Sequence, residues 1–245
     1  MKKVAIAIAL AIATAASVST AAQAQGVYVF GEYNHSQLES SEGEAIADSV
    51  ANELDGWVQE GNDLGGDLTG TRNDSSDDSD SGFGIGIGFR FHENFAAELA
   101  YKDLGEATYG SEVAIAGTDP IGGNVDGSGY FDGGYESDAV ILRGVGILPI
   151  TESFSLEALL GVAYVDTDYH AEEGLRGEVP RSGTRIGGSD SDSDFTATYG
   201  LGASFQFTDT VAAYGRWERI HDIDTADYLD DMEADTFAAG LRYSF

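Results

Sequence analysis

Residues 82–91 read Gly-Phe-Gly-Ile-Gly-Ile-Gly-Phe-Arg-Phe, and this stretch decides the fold. Successive side chains of an extended strand point to opposite faces, so the large apolar residues share one face. The glycines and Arg90 share the other face. A small barrel in a bilayer turns large apolar residues to lipid and small or polar ones to a crowded interior. The stretch therefore predicts a membrane-spanning strand, because the alternative of a soluble eight-stranded barrel requires the opposite facing.

The same alternation recurs along the chain and marks eight strands. They lie near residues 26–36, 82–91, 95–104, 137–148, 154–166, 195–207, 211–221 and 235–245. Each has about the 9–11 residues that a tilted strand needs to cross a bilayer. The gaps between strands alternate between short and long. We therefore predict an all-β fold, an eight-stranded antiparallel up-and-down transmembrane β-barrel.

Acidic residues are concentrated in the long gaps. The chain has 245 residues, of which 43 are acidic and 12 basic, and its formal net charge is −31. We expect four long acidic extracellular loops, over residues 37–80, 105–136, 167–194 and 222–234. This charge excludes nucleic acid as a partner, because a phosphate backbone would be repelled. The chain has no cysteine, which excludes a disulfide scaffold and a thiolate metal site.

Residues 1–24 have the pattern of a cleaved secretory signal peptide. Lys2 and Lys3 precede a short apolar run, and Ala22-Gln23-Ala24 forms a cleavage site. An uncleaved membrane anchor is the alternative, but the apolar run is short for one. We expect residues 25–245 to form one barrel domain in the bacterial outer membrane after export.

Eight ionisable side chains have the strand parity that points into the barrel. They are Glu32, Glu98, Lys102, Arg143, Glu157, Arg216, Glu218 and Arg242. The interior of an eight-stranded barrel is just wide enough for side chains to fill it, and an unpaired buried charge costs several kcal/mol. We therefore expect these charges to pair. Two interpretations stay open, a static polar core and a gate for a narrow ion path.

Three stretches and the last strand resemble the transmembrane domain of the outer membrane protein A family of small barrels. The stretches are Gly82–Gly105, Leu142–Asp168 and Tyr199–Ile223. The resemblance implies that Glu98, an inward residue of the third strand, belongs to an ion-pair network that blocks the lumen. The full-length family type continues into a periplasmic peptidoglycan-binding domain, and we expect none after Phe245.

The last residues of the chain also resemble a family signal. A final Phe245, with Tyr243 and Leu241 before it, is similar to the C-terminal motif that the barrel-assembly machinery reads in outer-membrane barrels. We expect the last strand to carry this signal.

Two patterns in the long gaps predict a helix and an association with cations. Ser41 and Glu44 form a capping-box pattern, and apolar residues at helical spacing predict an external helix over 41–58. The acidic runs 74–80 and 190–194 favour diffuse association of Ca²⁺ or Mg²⁺, because neither has the closing Glu of an EF-hand loop.

The sequence predicts a structural or surface-interaction role, with no catalytic residues, no cofactor and no defined metal site. The expected partners are outer-membrane lipids and lipopolysaccharide, to which divalent cations can bridge the acidic loops, and we expect a monomer. A narrow pore for ions or small solutes is the first alternative. A lipid A-modifying hydrolase is the second, and its candidates are His35 beside Ser36 and His221 beside Asp222.

Overall fold

Nine strands and one helix form the fold in the computed structural model, which describes residues 26–39, 41–179, 185–225 and 229–245. The strands are β1 (Val27–Glu39), β2 (Asp67–Asp77), β3 (Ser79–His92), β4 (Phe95–Thr118), β5 (Asn124–Pro149), β6 (Phe154–Glu178), β7 (Arg185–Gln206), β8 (Val211–Thr225) and β9 (Leu229–Ser244). Helix α1 (Ser41–Asp63) lies between β1 and β2. The predicted signal peptide lies outside the described residues.

Eight of these strands form a closed ring. The hydrogen-bonded order is β4-β3-β1-β9-β8-β7-β6-β5, and β5 pairs again with β4. Every pair in the ring is antiparallel. A closed ring leaves no backbone edge unpaired, which is the condition for strands to cross lipid. The ring confirms the predicted eight-stranded antiparallel barrel.

The remaining strand, β2, extends one wall of the ring. β2 pairs with residues 108–118 of β4, whereas β3 pairs with residues 95–102 of the same strand. Asp78 alone separates β2 from β3. We call the part of the molecule beyond the ring the outer extension. It consists of helix α1 and residues 67–77, 105–118, 124–136, 167–178 and 185–194.

The structure differs from the four predicted long loops. Residues 105–118, 124–136, 167–178 and 185–194 are strand, and the gap over 37–80 contains helix α1 and β2. In the gap over 222–234, β8 continues to Thr225 and β9 begins at Leu229. Outside the bilayer both faces of a strand can be polar, so the apolar alternation fades while backbone pairing continues. Among the described residues, no helix is both long and apolar enough to cross a membrane.

The outside of the ring is apolar, as residues 82–91 predict. Phe83 is 68% exposed and Leu160 is 72% exposed, although each lies in the middle of a well-paired strand. The residues that alternate with them, such as Gly84 and Leu159, point inward and are buried. A soluble barrel would bury the large side chains, so this facing fits lipid rather than water.

The inward glycines of β3 leave room for large side chains of β1. Gly86 is paired with Phe30 and Gly88 with Tyr28. A Cβ atom added at Gly86 would lie 2.3 Å from Cζ of Phe30, and one at Gly88 would lie 2.1 Å from Cζ of Tyr28. The glycine row therefore supplies the volume in which aromatic rings fill the interior.

Replacing Gly86 by Val should destabilise the barrel by about 1–3 kcal/mol or more, because the new methyl groups overlap the Phe30 ring. Unfolding in urea, followed by the mobility difference between folded and heated protein on a gel, measures the effect. Gly144→Val is the matched control, because Gly144 faces outward and the nearest atom beyond its chain neighbours, the Leu160 carbonyl oxygen, is 3.8 Å from the added Cβ. Equal stability of the two variants would contradict this account of the glycine row.

Candidate functional site

The structure places all eight predicted inward charges inside the ring. None of them is more than 5% exposed. Four are carboxylates and four are cations, so their formal charges cancel. They form a chain of ion pairs with alternating sign, in the order Glu32, Lys102, Glu218, Arg143, Glu98, Arg216, Glu157 and Arg242.

Glu98 lies at the centre of this chain. Arg143 donates from Nε to Oε2 of Glu98 at 2.9 Å. Arg216 donates to both oxygens of the carboxylate, at 2.8 and 2.9 Å. The Tyr28 hydroxyl adds a bond of 2.7 Å to Oε1. This bidentate, charge-assisted geometry is the strongest kind of ion pair, and it fixes both arginines across the lumen.

Further carboxylates continue the series of ion pairs on both sides of Glu98. Glu218 accepts hydrogen bonds from Arg143 at 2.6 Å and from Lys102 at 2.9 Å. Lys102 also lies 3.2 Å from Glu32. At the other end Glu157 accepts bonds from Arg216 at 2.8 Å and from Arg242 at 3.0 Å. Each carboxylate thus contacts a cation, which offsets the cost of removing these charges from water.

Three aromatic residues that were not predicted as site residues complete the site. Phe30 lies between two cations, with its ring centre 5.8 Å from Cζ of Arg143 and 5.7 Å from Cζ of Arg216. The Tyr214 ring lies 4.3 Å from Cζ of Arg216, and its hydroxyl donates to Glu32 at 2.9 Å. Tyr28 is the third. Their inward strand parity is the sequence signal that points to them.

Uncharged side chains fill the barrel interior between the ion pairs and the outer extension. A polar group is buried there: Asn34, Ser36, Ser137, Thr167, Thr198 and Thr236. An apolar group follows towards the outer extension: Leu38, Leu104, Tyr135, Val165, Ile220 and Ala234. The Tyr135 hydroxyl donates to the Leu38 carbonyl at 3.2 Å and joins two walls of the barrel. Packed side chains therefore continue from the charges to the outer mouth.

The opposite mouth is open, and it lies at the short turns over residues 93–94, 150–153 and 207–210. A vestibule of about 450 Å³ lies there, and Arg90, Glu93 and Glu152 are among its lining residues. Tyr28 and Arg242 line it as well. Since both also belong to the ion-pair site, the vestibule ends where the interior charges begin.

The histidines predicted as hydrolase candidates are not arranged as their sequence neighbours suggest. His35 is exposed and Ser36 is buried, because adjacent strand residues face opposite sides. His35 instead lies 3.4 Å from the hydroxyl of Ser81. His221 lies 2.8 Å from Glu233, and the side chain of Asp222 lies outside the described part. Within the described ranges, no carboxylate is hydrogen-bonded to His35.

Helix α1 confirms the predicted external helix, and it extends five residues beyond the expected end at Val58. Leu54 and Val58 pack against Val113 of β4 and Val125 of β5. Ile46 also stands at helical spacing from Leu54, which predicts the same face, but it is 41% exposed. The side chains of residues 41–44 lie outside the described part, so the capping box stays a prediction.

Arg72 ties the helix to the sheet of the outer extension. Its guanidinium pairs with Asp48 of α1, and its Nε donates to Asp74 of β2 at 2.7 Å. Ser111 of β4 donates to the same Asp74 at 2.7 Å. These hydrogen bonds hold the pKa of Asp74 below its usual range. In the described part of the chain, no group of three or more His, Asp or Glu is placed to hold a metal ion.

Two rows of carboxylates cross the outside of the barrel where the outer extension begins. Asp138 of β5 is paired with Asp103 and Asp166 on its neighbouring strands. Glu136 is paired with Glu106 and Asp168. Like charges directly opposite one another destabilise a sheet. Partial burial, with the nearby charges of Asp138 and Asp103, raises the pKa of Glu136.

The described geometry defines a class of protein. A closed ring of eight antiparallel strands, apolar outside and charge-compensated inside, is an integral membrane β-barrel. The family model for the outer membrane protein beta-barrel domain matches residues 6–245. The chain therefore belongs to this family of outer-membrane β-barrel proteins.

Solved structures with similarity to this chain come from the same class. Ail, the attachment invasion locus protein of Yersinia pestis, is 16% identical over 91% of this chain and 100% of its own, with a TM-score of 0.44. The outer membrane protein OprG from Pseudomonas aeruginosa is 13% identical over 91% of this chain and 96% of its own, with a TM-score of 0.44. A comparison with curated proteins gave no match.

Replacing Glu98 by Gln should destabilise the barrel by about 3–5 kcal/mol, because Arg143 and Arg216 stay buried without their shared counter-charge. Urea unfolding of the protein refolded in lipid vesicles measures the loss. Glu233→Gln is the control, because Glu233 pairs with Arg219 at the partly exposed surface, where such a pair contributes about 0–1 kcal/mol. A similar loss in both variants would contradict a special role of the interior pairs.

Replacing Glu136 by Gln should raise the unfolding midpoint at pH 7. The folded protein binds the Glu136 proton more tightly than the unfolded chain, so this carboxylate costs stability once pH rises above its usual pKa of 4.5. The gain should vanish below that pH, where Glu136 is protonated in both states. Glu112→Gln is the control, because its strand partners Asn73 and Tyr130 are uncharged. A gain at pH 7 that persists in acid would show another cause.

Proposed function

We propose that this protein is exported to the bacterial outer membrane and serves there as a closed, non-conducting barrel with a structural or surface-interaction role. The observation that carries the proposal is the filled interior. Eight charges of alternating sign and three aromatic rings occupy the lumen, and packed uncharged residues follow them to the outer mouth. A barrel filled in this way supplies a rigid anchor rather than a passage.

The outer extension is the part that would meet other molecules. Family membership and the short turns at the opposite mouth support an extracellular position for it. The carboxylate rows at its base lie next to the lipid-facing wall, at a level where divalent cations could link them to lipopolysaccharide phosphates. Leu241 and Tyr243 of β9, and Phe245 directly after it, are exposed, which supports the proposed signal for the assembly machinery. Surface contact is therefore the favoured role.

A narrow pore is the second candidate, and the vestibule is the observation that favours it. Solutes entering at the short turns would reach Tyr28 and Arg242 directly. Further passage requires Glu98, Glu157 and their arginines to exchange partners. A lipid A-modifying hydrolase would depend on the contact of His35 with Ser81. We propose instead a barrel without catalysis.

The closed-barrel proposal predicts no discrete channel openings when the purified protein is inserted into planar lipid bilayers. A gel mobility shift on heating confirms that the sample is folded before the recording. Glu98→Ala is compared in the same bilayers. Stable openings of the wild-type protein that Glu98→Ala changes would overturn the proposal and support the gated pore. Silence in both supports a static core.

A further inference from the structure

An apolar groove runs beside helix α1 on the outer extension. Two cavities, of about 180 and about 240 Å³, lie along the helix. Trp57 of α1 and Leu175 of β6 line both of them, so the cavities adjoin. Tyr130 and Ile186 continue the second cavity towards β5 and β7. With Leu68 of β2 and Ile115 of β4, the groove combines apolar residues from the helix and five strands.

The walls of the groove are fixed by packing that lies beneath it. Leu54 and Val58 are buried in the cluster that joins α1 to β4 and β5. Gly129 permits the close approach, because a Cβ atom there would lie 2.4 Å from a methyl carbon of Leu54. Arg72 fastens the other side of the helix through Asp48. The groove is therefore a feature of the folded extension.

Large apolar side chains remain exposed in this groove, outside the lipid-facing ring. Trp57 is 40% exposed and Ile186 is 61% exposed. In the outer extension no bilayer covers such side chains. A contiguous apolar groove outside the lipid-facing wall is a candidate docking site for another molecule.

The charges at the groove indicate the chemistry of that molecule. Glu53 and Glu173 line the larger cavity, and Asp119 lines the smaller one. Arg176, which is nearby, stacks on the Tyr130 ring with its Cζ 3.6 Å from the ring centre. Among the described side chains at the groove, three carboxylates outnumber the one guanidinium, so this part of the rim is acidic around an apolar floor. Electrostatic complementarity favours a ligand that is apolar on one side and positively charged on the other.

We propose that this groove binds a cationic amphipathic peptide segment. Its apolar side chains would lie against Trp57 and Leu175, and its basic side chains would face Glu53 and Glu173. Binding of an amphipathic helix in an apolar groove follows this geometry in other proteins. The inference rests on the proposed surface role and adds the class of partner.

The test uses the full barrel in nanodiscs of zwitterionic lipid. Trp217→Phe leaves Trp57 as the single tryptophan, so its fluorescence reports on the groove. The probe is a synthetic amphipathic helix of Leu and Lys, compared with a scrambled peptide of the same composition. We expect a saturable blue shift with the amphipathic peptide, and at least about tenfold weaker binding of the scrambled one.

A substitution in the groove, compared with a matched control, tests where the peptide binds. Ile186→Asp should weaken binding about tenfold, whereas Ile46→Asp should leave it unchanged. Ile46 is also exposed on the outer extension but lines neither cavity. Replacing Glu53 and Glu173 together by Gln should weaken binding and reduce its dependence on salt.

Three results would overturn the inference. Equal binding of the scrambled peptide, or equal effects of the two Ile substitutions, would show diffuse attraction to an acidic surface. Saturation of the Trp57 signal by a neutral apolar dye, with none by the peptide, would assign the groove to an uncharged ligand. If the protein shows no channel openings in planar bilayers but the peptide tests fail, the closed-barrel proposal stands and only the assignment of the groove is lost.

Discussion

The structure depends on one constraint, that every backbone hydrogen-bonding group in a bilayer must find its partner within the protein. A ring of eight strands meets this constraint because it has no edge. The same closure makes the interior narrow, so any charge placed there is removed from water. The interior contains equal numbers of carboxylates and cations, and each of these side chains contacts at least one of opposite charge. Glu98 holds this arrangement together, since it binds Arg143, Arg216 and the Tyr28 hydroxyl.

Small and large inward residues are matched across neighbouring strands. Gly86 faces Phe30 and Gly88 faces Tyr28 on the paired strand, and Gly240 lies opposite Tyr214 in the same way. The rings lie against the arginines, and Phe30 is close to both Arg143 and Arg216. Packing and electrostatics are thereby coupled, because a side chain added at a glycine would displace the ring that orients a charge.

Lipid does not determine which residues the outer extension exposes. The strands of this extension lie beyond the lipid-facing ring, so no lipid imposes an apolar outside. One face is instead covered by helix α1 through Leu54 and Val58, and the other carries the rows of carboxylates. This division leaves the molecule with a neutral core in the membrane and an acidic surface beyond it. The apolar groove beside Trp57 lies at the border of the covered face.

The sequence by itself determined the ring and its lining, because lipid imposes a strict alternation of large apolar and small or polar residues on each spanning strand. All eight interior charges follow from that parity. It did not reveal that 105–118 and 124–136 continue as strands, since a water-exposed strand needs no alternation. Nor could it pair Glu98 with Arg143 and Arg216 or place Trp57 beside Leu175. Those contacts join residues far apart in the chain, and only the register of the closed sheet and the docking of the helix bring them together.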